Sequence, residues 1–131
     1  MDSIISKNYS KITKFDVSRE TCNELESLIS MIQKKNKEIN IISRKNSDQG
    51  AIRQRHIVDS AQIIDFVDLN INTTSDLGSG GGIPGLIIAI LMKKLKNKMK
   101  VQLYEKSYHK CAFLKDVSEK FELNTEIIQE D

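Results

Sequence analysis

The sequence predicts an α/β fold in which helices are followed by a β-α-β-α-β run forming a parallel sheet. Three observations predict it. Apolar residues recur at helical spacing through the first half. From residue 70 onward, short β-branched segments alternate with helical ones. Between the first such segment and the next helix, five of the six glycines fall within Gly78–Gly85. Strands alternating with helices of this length need right-handed crossovers. The chain of 131 residues has the length of one domain and can bury a core. Its expected organisation is an N-terminal helical segment over 1–69 and a partial α/β domain of three strands over 70–131.

Residues 1–16 read as a short helix or an arm. Ser18 is placed to cap a helix running to about Lys35, with Leu25, Leu28, Ile29 and Ile32 on its inner face. Residues 34–42 carry the chain into a loop, and Ser47, Asp48 and Gly50 mark a break. Residues 51–67 read as a second long helix using Ile52, Ile57, Ala61, Ile64 and Val67. Residues 71–77 form a strand, unusually polar for one in a parallel sheet. Pro84 suits the first turn of a helix that reaches about Lys96. A strand over 101–105 follows, then a helix over 108–121 with Cys111, Phe113, Leu114, Val117 and Phe121 inward. A third strand opens at Thr125.

Composition excludes several classes. The net charge of +2 is too small to argue for nucleic acid without clustering. Basic residues do cluster at Lys34, Lys35 and Lys37, at Arg53 and Arg55, and along the lysines of 93–100. The last run reads as a solvated helix end favoured by the dipole. Cys22 has no partner at metal-ligand spacing, and the His109/Cys111 pair is no zinc motif, so no metal is expected. Free buried thiols in a reducing cytoplasm are the default. The early acid Asp2 and the lack of a long apolar run argue against a signal peptide. The apolar stretch 83–92 is too short to span a bilayer, so no membrane is expected.

The segment Asp76-Leu77-Gly78-Ser79-Gly80-Gly81-Gly82-Ile83-Pro84-Gly85 carries the chemistry. A strand ending in such a turn lets a ligand press against bare main chain, and the helix that follows offers N–H donors. Glu105, at the end of the second strand, stands where a ribose partner is expected; a carboxylate can accept from both sugar hydroxyls. These parts describe a nucleoside-containing cofactor. Gly80, Gly82 and Gly85 also fit G-x-G-x-x-G, a weak dinucleotide signal. Two residues favour S-adenosylmethionine. Asp76 would repel a pyrophosphate yet can hold an amino group, and Pro84 lacks the N–H a phosphate would use. A nicotinamide- or flavin-binding oxidoreductase domain remains the alternative, as does a folded, non-catalytic remnant.

The glycine segment resembles the "D-x-G-[ST]-G-x-G-x-P-G" loop of the glucose-inhibited division protein B family, the small-subunit ribosomal RNA guanine-N7 methyltransferases. Three further segments resemble that family in order and spacing. Asn36 and Asn40 match "N-K-x-x-N-L". Arg55-His56-Ile57-Val58-Asp59-Ser60 matches "R-H-I-x-D-S". Residues 105–114 are similar to "[DE]-S-x-x-K-R-x-x-F-L". The resemblance implies a Rossmann-like class I S-adenosylmethionine-dependent methyltransferase fold, here the first half of its sheet. It implies a cytoplasmic enzyme that methylates N7 of a guanine in 16S ribosomal RNA. Gly78 and Ile83 would contact the cofactor, Gly80 and Gly82 would admit it, Asp76 would face its methionine end and Glu105 its ribose. Arg55, with Arg53, Lys34 and Lys37, would engage RNA phosphates. His56 and Asp59 lie three apart on one helical face and either brace the site or simply pair.

One departure from the family is large. The family continues with an "R-x-E" segment and later an "S-R-A" segment, whereas this sequence stops at Asp131. A truncated chain, a decayed one, or one that closes its sheet with a partner would each account for this. Poor activity alone is the expectation.

Overall fold

A computed structural model describes residues 18–41, 48, 50, 52, 57, 68, 70–77 and 85–130, with main chain alone at 76 and 77. The described elements run α1 (Arg19–Lys35), β1 (Thr73–Leu77), α2 (Gly85–Lys94), β2 (Lys100–Glu105), α3 (Tyr108–Lys120) and β3 (Thr125–Gln129).

Helix α1 begins where the sequence places its cap. Ser18 is extended, and its Oγ accepts from the Thr21 N–H at 3.2 Å. Glu20 in the first turn and Lys34 and Lys35 in the last complement the helix dipole. Leu25, Leu28, Ile29 and Ile32 are all buried. Helix α2 differs: every residue from Gly85 to Met92 is buried. A helix apolar all round needs cover on both sides. The sheet supplies one, through β2, and α1 supplies the other. Ile52 and Ile57, from the segment read as a second long helix, join the same core. Ala61, Ile64 and Val67 of that segment lie outside the described residues.

The strands pair in parallel in the order β1-β2-β3. The order advances in one direction, so right-handed crossovers lay α2 and α3 on one face. That face carries Val101 and Leu103 of β2, both fully buried, and receives Phe113, Leu114 and Val117 of α3. On the other face the Ser75 hydroxyl donates to Gln102 Oε1 at 3.0 Å, and the Gln102 amide donates to Glu126 Oε1 at 2.9 Å. This ladder follows the register Ser75–Gln102–Glu126 and explains why so polar a segment as β1 is a strand. Its Ser75 hydroxyl pairs across the sheet, and among the described residues it has one strand neighbour.

The boundaries shift slightly from expectation. β1 starts at Thr73 because Asp68 ties the preceding residues into a turn, its Oδ1 accepting from the Asn70 N–H at 2.9 Å. Helices α2 and α3 each stop short of the expected end. Lys96 and Glu122 take left-handed φ values of 55° and 54°. Just past them, the Asn97 N–H reaches back to the Met92 carbonyl and the Leu123 N–H to that of Ser118. Both are terminating turns that satisfy the last helical carbonyls.

Candidate functional site at the carboxyl edge of the sheet

The parallel register brings the carboxyl ends of β1 and β2 side by side. Asp76 is opposite Leu103 and Leu77 opposite Tyr104, so Glu105 lies one position beyond the last β1 pair. The chain leaving β1 passes through the glycine segment and returns as α2 at Gly85. Gly78, Gly80, Gly82 and Ile83 lie outside the described residues, and Asp76 is placed by its main chain alone. Glu105 and the carboxyl end of β1 thus share one edge of the sheet, the edge at which parallel α/β sheets bind ligands.

Glu105 is only 7% exposed. Its Oε1 accepts from the main-chain N–H groups of Lys106 and Ser107, each at 3.1 Å. These bonds orient the carboxylate at the strand end and stabilise its charge. The surrounding turn is fastened from several sides. The Glu105 carbonyl accepts from the Glu130 N–H at 3.0 Å and from the Cys111 thiol at 3.3 Å. The Gln129 side-chain amide donates to the Lys106 carbonyl at 3.2 Å. Ser107 caps α3, its Oγ accepting from the Lys110 N–H. Burial, and then the nearby Glu105 carboxylate, push the Cys111 thiol above its ordinary value against a smaller opposing pull from Lys115. Burial and then Glu26 do the same at Cys22. Both stay protonated and unreactive at neutral pH.

Of the basic residues expected to meet RNA, Lys34 and Lys37 are exposed. The Glu24–Lys93 ion pair, 2.7 Å long, sets the start of α1 beside the end of α2. Lys34 stands in the last turn of α1, at the helix end opposite Ser18, and Lys37 just past it. Asn36 fixes the chain there: it is buried, and its Oδ1 accepts from the Ile41 N–H at 2.8 Å. Arg53, Arg55, His56 and Asp59 lie outside the described residues.

Sequence reasoning missed the clamp on Glu105 and the brace by Asn36. Ser107, three residues before Lys110, was a readable capping signal for α3, whereas the clamp uses main-chain N–H groups. The lysine run of 93–100 also needs refinement. Lys93 is no free surface charge, since its Nζ donates to Glu24 and to the Phe121 carbonyl, both at 2.7 Å. A cavity of about 670 Å³ opens beside it, lined by Ser18, Arg19, Glu24, Lys93 and Lys94 among others. It lies at the amino edge, away from Glu105, in the seam between α1 and α2. Among the described residues no cluster of side chains could hold a metal ion, and no helix is long and apolar enough to cross a membrane.

The family model described as GidB, rRNA small subunit methyltransferase G, matches residues 21–131. A ribosomal RNA small subunit methyltransferase G of Pelagibacter ubique (strain HTCC1062) is 55% identical over 127 residues, covering 97% of this chain and 60% of the relative. Proteins of the same name from Jannaschia sp. (strain CCS1) and Ruegeria sp. (strain TM1040) are 37% and 39% identical, covering 86% and 80% of this chain. The chain spans 52% and 50% of those two relatives. With a family match over all but its first 20 residues, this chain belongs to the GidB family of rRNA small subunit methyltransferase G.

Proposed function

We propose that this chain forms the S-adenosylmethionine-binding part of a cytoplasmic methyltransferase that modifies N7 of a guanine in small-subunit ribosomal RNA. The observation that carries the proposal is the clamped carboxylate of Glu105 at the carboxyl edge, on the strand next to the one that enters the glycine segment. A buried, oriented carboxylate there fits a ribose diol.

Guanine N7 has a lone pair and no proton, so the reaction needs no general base. The cofactor supplies a methyl group already activated by its sulfonium. The protein's share is placement and exclusion of water. In this reading Glu105 orients the ribose. Gly78, Gly80 and Gly82 keep the main chain bare for close approach, and Ile83 packs against the bound nucleoside. Asp76 faces the amino-acid end. Arg55, Arg53, Lys34 and Lys37 neutralise RNA phosphates and make affinity fall with salt. His56 and Asp59 brace the helix that carries Arg55. The helical part, 1–69, is then the RNA-facing portion, and 70–131 the cofactor-facing one.

Titration calorimetry tests this directly. S-adenosylhomocysteine is expected to bind and NADH is not. Gly78→Val is expected to abolish S-adenosylhomocysteine binding while circular dichroism keeps its helical signal. Binding of NADH in place of S-adenosylhomocysteine would sink the proposal.

A further inference from the structure

Tyr108, the first residue of α3, is 69% exposed, well above Ile71, the other exposed large apolar side chain among the described residues. A single exposed aromatic ring is ordinary, but this one is not isolated. Its ring meets that of His109 edge-on, with centroids 5.6 Å apart and planes at 78°. Lys106, two residues before Tyr108, is exposed, and Lys110, two residues after it, is half-buried. All four lie in the turn that follows Glu105 or in the first turn of α3. That turn is immobilised by the Glu105 clamp, the Ser107 cap, the Gln129–Lys106 bond and the Cys111 thiol. An aromatic ring carried on a fastened main chain loses less entropy when something stacks on it, and ammonium groups within two residues of it suit a phosphate backbone.

We infer that Tyr108 is a stacking platform for an unpaired base of the RNA strand, with His109 propping its ring and Lys106 and Lys110 holding the neighbouring phosphates. Single-stranded RNA is recognised by stacking on aromatic side chains beside cationic groups, and this turn offers both at the edge where the methyl donor would sit. The inference rests on the RNA-methyltransferase reading and gives that reading a base contact besides the phosphate contacts.

The test uses the whole chain with two fluorescein-labelled probes, a single-stranded oligoadenylate and an abasic ribose-phosphate strand of equal length. Tyr108→Ala is expected to weaken oligoadenylate binding by about 5- to 150-fold, the range for one stacked base. It should leave abasic-strand binding within about twofold, and Tyr108→Phe should restore the oligoadenylate affinity. The sequence has no tryptophan, so Tyr108→Trp places one reporter at the platform, and its fluorescence is expected to be quenched by oligoadenylate. Equal binding of oligoadenylate by Tyr108→Ala and the unaltered chain, or no binding by either, overturns the inference. So does quenching by S-adenosylhomocysteine alone, which would make the ring an adenine contact of the cofactor. Calorimetry with S-adenosylhomocysteine on the same proteins separates the two proposals. A chain that stacks oligoadenylate through Tyr108 yet binds no cofactor keeps this inference and loses the cofactor reading.

Discussion

The two edges of the sheet are built from opposite materials. At the amino edge, side chains fasten elements to one another. Lys93 joins α2 to Glu24 of α1 and to the Phe121 carbonyl at the end of α3. Asn124 donates to the carbonyls of Lys98 and Met99, tying the start of β3 to the start of β2. The Thr125 hydroxyl meets Ser118 at 2.7 Å. At the carboxyl edge, among the described residues, the bonds from Lys106, Ser107 and Gln129 lie in one short turn and the strand beside it, and two of them orient a carboxylate. One edge fastens helices and strands together, while the other orients the carboxylate proposed for the ribose. Ligands of parallel α/β sheets bind at the carboxyl ends of strands, so the division of labour follows the chain direction.

Glu105→Ala should break this comparison most forcefully. It removes the carboxylate proposed for the ribose and leaves two main-chain N–H groups without their acceptor. Charge-assisted hydrogen bonds contribute about 1.5–3 kcal/mol each, so S-adenosylhomocysteine affinity is expected to fall about 100-fold in calorimetry. Glu105→Gln keeps an acceptor for the turn but loses the charge. It should unfold in urea like the unaltered chain while still binding the ligand poorly. If both variants bind normally, Glu105 belongs with the fastenings.

The reverse experiment is Asn124→Ala. Two hydrogen bonds are lost at the amino edge, one of them exposed, so unfolding free energy should drop by about 1 kcal/mol. Ligand affinity should stay within about twofold. A tenfold loss of affinity would show that the edges are coupled through β2 rather than separate.

How much of this was legible in the sequence depended on the range of the interaction. The apolar face of α1, the all-apolar α2 and the inner face of α3 follow from spacing alone, because Leu25, Leu28, Ile29, Ile32, Leu114 and Val117 recur at helical intervals. The placing of Glu105 beside the glycine-entering strand was legible too, since strand–helix–strand units pair in parallel. The clamp on Glu105 was not, because it uses main-chain N–H groups whose direction depends on the turn. Nor was the role of Lys93, whose ion-pair partner Glu24 lies 69 residues away. Charge runs look alike in sequence whether or not one member finds a distant carboxylate.

The smallest effect probes how the amino edge ends its helices. Glu122, just past α3, has φ 54°, and Lys96, just past α2, has φ 55°. A side chain in that region costs about 1–2 kcal/mol, which glycine avoids while losing some stability through its freer unfolded chain. Glu122→Gly should therefore stabilise the fold by about 0.5–1 kcal/mol in urea titration, as should Lys96→Gly. Neither should change ligand affinity, because both positions belong to the fastening edge. If Glu122→Gly destabilises instead, the carboxylate contributes more to the end of α3 than its backbone strain takes away. The amino edge would then rely on side chains even where a turn alone could close the helix.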